Sequence, residues 1–185
     1  RLVLATGARA RMLPQLSGPL SNVAVLRSAE DALLLRSQLQ AAQAVAVLGG
    51  GFIGLEIAAT ANLLGKRVSV FESAPRLLAR SVSPELAEHV LQAHRSAGLD
   101  VRLGVSVDGY KVQGDRLAAM QVDGEHVPVD LLVVGIGAVS EKTLAQEAGL
   151  ACNNGIVVDA CMRTSDASIL AIGDCTEFPE AGSGH

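Results

Sequence analysis

An apolar run, Val45-Ala46-Val47-Leu48, enters Gly49-Gly50-Gly51-Phe52-Ile53-Gly54, and a second run, Arg67-Val68-Ser69-Val70-Phe71, ends on Glu72. This spacing predicts a strand over 44–48, a helix from about 53 to 64 and a strand over 67–72. Strand, Gly-x-Gly-x-x-Gly, helix and strand-end acid in register describe a dinucleotide-binding βαβ unit. Gly49 allows the tight turn, Gly51 lets backbone approach a pyrophosphate, and Gly54 lets the helix pack close to the strand. The helix N-terminus offers unpaired N–H groups and partial positive charge to phosphates. Glu72 can accept both hydroxyls of an adenosine ribose, and its charge repels a 2′-phosphate. A purely structural turn also explains the glycines, but it leaves the acid unexplained.

Composition narrows the rest. The 185 residues are 49% hydrophobic but only 2% aromatic, without Trp, so the core is built from Val, Leu, Ile and Ala. That suits strands buried on both faces of a parallel sheet. A net charge of −4 and four aromatic residues give neither the basic footprint nor the stacking platforms of a nucleic-acid binder. No apolar run approaches the roughly 18 residues of a spanning helix. Cys152, Cys161 and Cys175 form no Cys-x-x-Cys or zinc spacing. They read as reduced thiols of a cytoplasmic protein. His89 and His94 are five apart on a predicted helix and share no face, so no metal site is expected. The sequence begins at Arg1 inside a strand-like run and reads as part of a longer chain.

Along the chain, residues 1–8 read as a strand entering a glycine turn, followed by a connector with Pro14, Gly18 and Pro19. Ser28-Ala29-Glu30-Asp31 has the form of a capping box for a helix to about Ala41. Gly65 sits at a helix C-terminal cap. Ser83 and Pro84 open a further helix with an apolar stripe of Leu86, Val90, Ala93 and Ala97, ended by Gly98. A strand at 100–103 follows. Between Val105 and Val129, turns at Asp108-Gly109, Gly114-Asp115 and Asp123-Gly124 predict a small antiparallel meander. The run 130–137 reads as a central parallel strand, with a short helix near 141–148 and strands at 155–159 and 169–172.

Four signatures occur in one order: Ala5-Thr6-Gly7-Ala8-Arg9, Gly49 to Glu56, Val133-Val134-Gly135-Ile136-Gly137, and Thr164-Ser165-Asp166 leading to Ala171-Ile172-Gly173-Asp174. On these the chain resembles the FAD-dependent pyridine-nucleotide oxidoreductases, in particular the ferredoxin and rubredoxin reductases that include components of aromatic-ring dioxygenases. The resemblance covers nearly the whole chain. It implies a Rossmann-like α/β fold, a three-layer ββα sandwich with a central parallel sheet and the small meander. It also implies an NADH domain inserted into an FAD domain: residues 23–149 form the former, and 1–22 with 150–185 are incomplete portions of the latter.

Site residues follow from the resemblance. Gly49, Gly51, Phe52, Ile53 and Gly54 form the NADH pyrophosphate turn, and Glu72 binds the ribose and favours NADH over NADPH. Arg80 matches a position that contacts the dinucleotide. Arg76 and Arg80 either offer a 2′-phosphate a home or are simply solvated charge. Glu56 matches an acid at the nicotinamide–flavin junction, although an acid in a first helical turn needs no function. Gly135, Ile136 and Gly137 line the nicotinamide. Relatives often continue with Pro-Asn where Val139-Ser140 stands here, so contacts beyond Gly137 stay open. Asp174 matches the acid that hydrogen-bonds the ribitol of FAD, and Thr6 and Gly7 lie near the FAD.

The implied reaction stacks the nicotinamide of NADH on the flavin, passes a hydride to flavin N5, and releases electrons singly to a ferredoxin or rubredoxin. The cofactors supply that chemistry, so no acid–base dyad is expected. The alternatives are an NADH oxidase, a coenzyme-A-disulfide reductase, the NADH-consuming subunit of a nitrite reductase, or a non-catalytic dinucleotide-binding module. Strands such as 169–172, without a covering partner, predict pairing of chains into a homodimer.

Overall fold

The computed structural model describes residues 1–16, 18 and 20–179. It divides into two compact units, one of residues 10–137 and one of residues 1–9 with 138 onward.

The unit of residues 10–137 is organised by five parallel strands in the order Val23–Ala24, Leu131–Val134, Ala44–Leu48, Arg67–Glu72, Asp100–Leu103. Their register explains why the strands are so uniformly apolar. Val133, Val47, Val70 and Val101 align across four strands and face the helices Ala29–Ala41, Phe52–Leu63 and Pro84–Ser96. One residue on, Val134, Leu48 and Phe71 align on the opposite face and pack against Leu117, Met120 and Val122 of the meander. Alternation thus buries both faces, with helices on one and a second sheet on the other. The result is the expected ββα sandwich with its central parallel sheet. Each fully buried Val or Leu contributes about 1.5–3 kcal/mol. The helix Phe52–Leu63 approaches the sheet through Ala58 and Ala61, both fully buried.

Local signals end the elements where the sequence places them. Asp31 N–H donates to the Ser28 hydroxyl at 3.1 Å and Ser28 N–H to the Asp31 carboxylate at 2.9 Å, a complete capping box. Gly65, at φ +74°, donates to Asn62 O while Lys66 donates to Ala61 O, so a left-handed residue closes the helix carbonyls. The meander is formed by Val107–Gln113, Arg116–Val122 and Glu125–Pro128. Buried Asn22 ties it to the connector: its amide donates to Leu117 O (2.8 Å) and Asp130 O (3.0 Å), and its oxygen accepts from Leu117 N–H (2.8 Å).

Two expectations are corrected. The helix Pro84–Ser96 buries Ala87 and Leu91, with Val90 packed beside them, whereas Leu86 is half exposed and Ala93 and Ala97 face solvent. A one-residue offset turns a helical stripe by about 100°, and the larger Leu91 anchors the face that goes inward. Asp108-Gly109 is not a turn. It lies within Val107–Gln113, where the pairing slips by one residue between Val107 and Gly109, so it marks a bulge.

In the other unit, Leu2–Leu4 pairs in parallel with Ile169–Ala171, and Ile156–Val157 with Thr176–Glu177; a third expectation is corrected here, since the strand near 169–172 finds a partner within the chain. Leu4, Ala145, Leu150, Ile156, Val158, Ala171 and Cys175 form its core. Leu2 and Val3 remain half exposed. All three cysteines are unpaired thiols. Among the described residues no group of side chains could hold a metal ion, and no helix is long and apolar enough to cross a membrane.

Candidate functional site

The strand Ala44–Leu48 lies between Leu131–Val134, late in the chain, and Arg67–Glu72, which follows it directly. Such a reversal of strand order opens a crevice at the carboxyl ends of the strands. Gly49 turns the chain there with φ +105°, donating to Phe71 O at 2.8 Å, while Gly135 N–H donates to Leu48 O at 2.7 Å. A Cβ on Gly49 would stand 2.4 Å from Gly135 O, and one on Gly54 2.4 Å from Gly49 O. Both are therefore closed to any side chain. A Cβ on Gly51 would meet nothing within 4 Å, and no side chain caps the helix that Gly51 opens. One flank of the turn is open and carries the helix's N-terminal amides.

The Glu72 carboxylate lies against the same turn. Its Oε2 accepts Gly50 N–H at 2.5 Å, and its Oε1 accepts Ala74 N–H at 2.7 Å and the Ser73 hydroxyl at 3.3 Å. A carboxylate has about four acceptor positions, so these bonds leave room for a further hydroxyl. The loop after Glu72 is braced from within. Arg76 donates to Val82 O (2.9 Å) and Ala79 O (2.5 Å), and Leu78, at φ +51°, donates to Gly50 O at 2.9 Å. Of the two readings of Arg76, solvated charge or 2′-phosphate partner, the geometry favours neither: its guanidinium holds loop carbonyls.

A cavity of about 620 Å³ opens over these strand ends, within the usual size of small-molecule sites. It brings together Gly49, Gly51, Glu72, Arg80, Gly135, Ile136 and Gly137. An open glycine flank, uncapped amides and an acid with acceptor capacity fit a dinucleotide.

Other expected residues lie elsewhere. Phe52 and Ile53 are exposed on the first turn of the helix and do not line the cavity. Glu56 is exposed too and borders a separate groove of about 490 Å³ with Leu35, Leu39 and Ile57. In the other unit, Thr6–Gly7 and Gly173–Asp174 follow the paired strands at one carboxyl edge. There Thr6 donates to Glu141 O at 2.5 Å, Gly7 O accepts Glu141 N–H at 2.9 Å, and Asp174 O accepts the Ser140 hydroxyl at 2.9 Å. Asp174 is exposed on that edge, and these polar groups fit a hydroxylated chain such as ribitol.

A family model described as pyridine nucleotide-disulphide oxidoreductase matches residues 1–183. The chain belongs to this family. It is 43% identical over 184 residues to putidaredoxin reductase of Pseudomonas putida, covering 96% of this chain and 44% of the relative. It is 47% identical over 176 residues to a rubredoxin–NAD(+) reductase of the same species, covering 95% and 46%. Among solved structures it resembles a ferredoxin reductase from Rhodopseudomonas palustris, with a TM-score of 0.93, 42% identity, and 100% of this chain and 46% of that one covered. The putidaredoxin reductase chain of a covalent complex with putidaredoxin gives a TM-score of 0.92 at 42% identity, with 98% and 45% covered. The chain thus spans less than half the length of these family members.

Several cavity residues of this family member carried no sequence signal. Leu13 and Gln15 come from the connector, Val105 and Ser106 from the turn beyond the strand Asp100–Leu103, and Val107 and Tyr110 from the meander. Val105 N–H donates to Glu72 O at 3.2 Å and Gly104 N–H to Ala74 O at 2.9 Å, which bring that turn to the site. Burial raises the Tyr110 phenol above its ordinary pKa. The apolar positions of strands 100–103 and 107–113 showed elements, but only the tertiary fold shows which of their residues reach the crevice.

Proposed function

We propose that the chain provides the NADH-binding domain of an FAD-dependent reductase that delivers electrons to a ferredoxin or rubredoxin. The observation carrying this reading is the glycine turn, open at Gly51 and facing Glu72 across one cavity, in a chain similar to reductases of small electron carriers. Residues 23–149 form the nicotinamide domain, and 1–22 with 150–185 contribute to the FAD domain. The protein works in the cytoplasm.

Each residue then has a physical task. Gly51 and the amides of Phe52, Ile53 and Gly54 hold the pyrophosphate at a helix N-terminus. Glu72 accepts a ribose hydroxyl and repels a 2′-phosphate, while Arg80, whose Nη2 stands 3.8 Å from where a Cβ on Gly137 would be, offers the dinucleotide a positive charge in the same cavity. Gly135 and Gly137, without side chains, let a flat ring lie along the backbone beside Ile136. Leu48, Phe71, Val105 and Val107 limit water at the cavity wall. Thr6, Gly7 and Asp174 hold the ribitol side of FAD, and Glu56, which lies outside the cavity, keeps only the nicotinamide–flavin role that the resemblance implies. When bound, NADH supplies a hydride and FAD accepts it, converting a two-electron donor into a source of single electrons. The half-exposed Leu2–Val3 edge supports association of two chains, to be checked by light scattering at high concentration.

The decisive test uses the full-length protein. Anaerobic NADH should bleach its flavin absorbance and then reduce an added ferredoxin or rubredoxin, with NADPH much slower. A flavin unaffected by NADH would remove the proposal.

A further inference from the structure

The glycine motif leaves its second position unspecified, yet the structure constrains Gly50 too. Its N–H donates to Glu72 Oε2 at 2.5 Å and its carbonyl accepts Leu78 N–H at 2.9 Å. A Cβ there would stand 2.6 Å from Leu77 Cδ2 and 3.1 Å from Glu72 Oε2. Leu77 is fully buried, so it cannot swing into solvent to make room. The other carboxylate oxygen is held by Ala74 N–H at 2.7 Å. Glu72 therefore links the glycine turn to the 73–82 loop, Leu78 adds a second link from that loop to Gly50, and Arg76 braces the loop from within.

We infer that Glu72 and Gly50 form a clamp that shapes the turn before any ligand binds, with Gly50 a positioning residue for coenzyme selection. This rests on the reading of the cavity as an NADH site. Both carboxylate oxygens face backbone donors, and a carboxylate meets both because it only accepts. A glutamine of the same shape must turn its NH2 group toward one N–H, leaving that donor unpaired beside another. Selectivity against a 2′-phosphate thus cannot be released by neutralising Glu72, because the same change distorts the turn that holds the pyrophosphate.

The 185-residue chain, labelled with ¹⁵N, tests this without ligand. Gly50 and Ala74 amide protons should both resonate downfield in the wild type, since each donates to the Glu72 carboxylate. In Glu72→Gln both should shift markedly while distant amides do not. In calorimetry, Glu72→Gln should lose NADH affinity by about ten-fold or more, the scale of a lost charge-assisted bond, with no gain for NADPH. A Gly50 or Ala74 amide without the downfield shift in the wild type, an unmoved Gly50 resonance in the variant, or a variant binding NADPH as tightly as the wild type binds NADH would each overturn the clamp. If the wild type itself fails to bind NADH, the nicotinamide reading fails, while the ligand-free resonances still decide the clamp.

Discussion

Two sets of parallel strands in this chain end in glycine turns, and they are built differently. At Gly49 the turn is enclosed: Gly135 O stands 2.4 Å from where a Cβ would be, and Glu72, Leu77 and Gly54 press on the neighbouring residues. At Gly173, with φ +79°, a Cβ would meet nothing within 4 Å. The first turn lies in a five-stranded sheet between two full strands; the second follows a strand that pairs along its length with Leu2–Leu4 and on its other side only through the bridge of Leu170 to Arg163. Glycine is needed at Gly49 for conformation and for space, but at Gly173 for conformation alone. A site is rigid where surrounding strands leave a turn one possible course.

Substitutions can break this comparison. Phe71→Ala empties the largest fully buried side chain of the sheet face beneath the turn, and should cost about 3–5 kcal/mol in denaturant unfolding. A loss below about 1 kcal/mol would mean that this face is not a packed core. Asn22→Leu leaves the Leu117 N–H without its buried acceptor and should cost about 2–3 kcal/mol. An unchanged midpoint would show that the meander is held by apolar packing alone. Gly173→Ala should cost only about 1–2 kcal/mol, the penalty of a left-handed residue. Gly49→Ala should exceed it because a backbone clash adds to the same penalty, and equal losses would erase the distinction drawn here.

The smallest effect concerns Glu177, whose carboxyl is held below its ordinary pKa by hydrogen bonds from the Asn153 side chain and from Gly155 and Asn154 N–H. A depressed folded pKa makes the contribution complete above the ordinary carboxylate value and lost as pH falls through the folded value. Acidification below the ordinary carboxylate range should therefore move the Asn154 and Gly155 amide resonances. Constant shifts down to that range and through it would contradict the bonding.

The contrast between the turns also explains what was legible in the sequence. The βαβ unit could be read because every part is local: apolar strands at 44–48 and 67–72, glycines between them, and an acid at the end. Capping by Ser28 and Asp31, and by Ser83 with Pro84, is local too. The inward face of the 84–96 helix was misplaced by one residue, since Leu86 and Leu91 are equally apolar and only packing selects between them. Asp108-Gly109 has turn chemistry but sits in a strand because the partner strand runs past it. Arg76 could not be separated from Arg80 by sequence, as loop carbonyls that capture one guanidinium are set by the fold of 73–82. Tyr110 and Gln15 reach the cavity from distant segments, and Gly50 gave no signal because the motif tolerates any residue there.

The proposed function depends on the turn at 49–54 holding NADH. Calorimetric titration of the chain with NADH, NADPH and FAD in parallel tests it most directly. Tight NADH binding, weak NADPH binding and no FAD binding at the turn are expected, with the NADH signal removed by Gly49→Ala. Binding of FAD that Gly49→Ala abolishes, without binding of NADH, would contradict it, because the turn would then belong to the other dinucleotide.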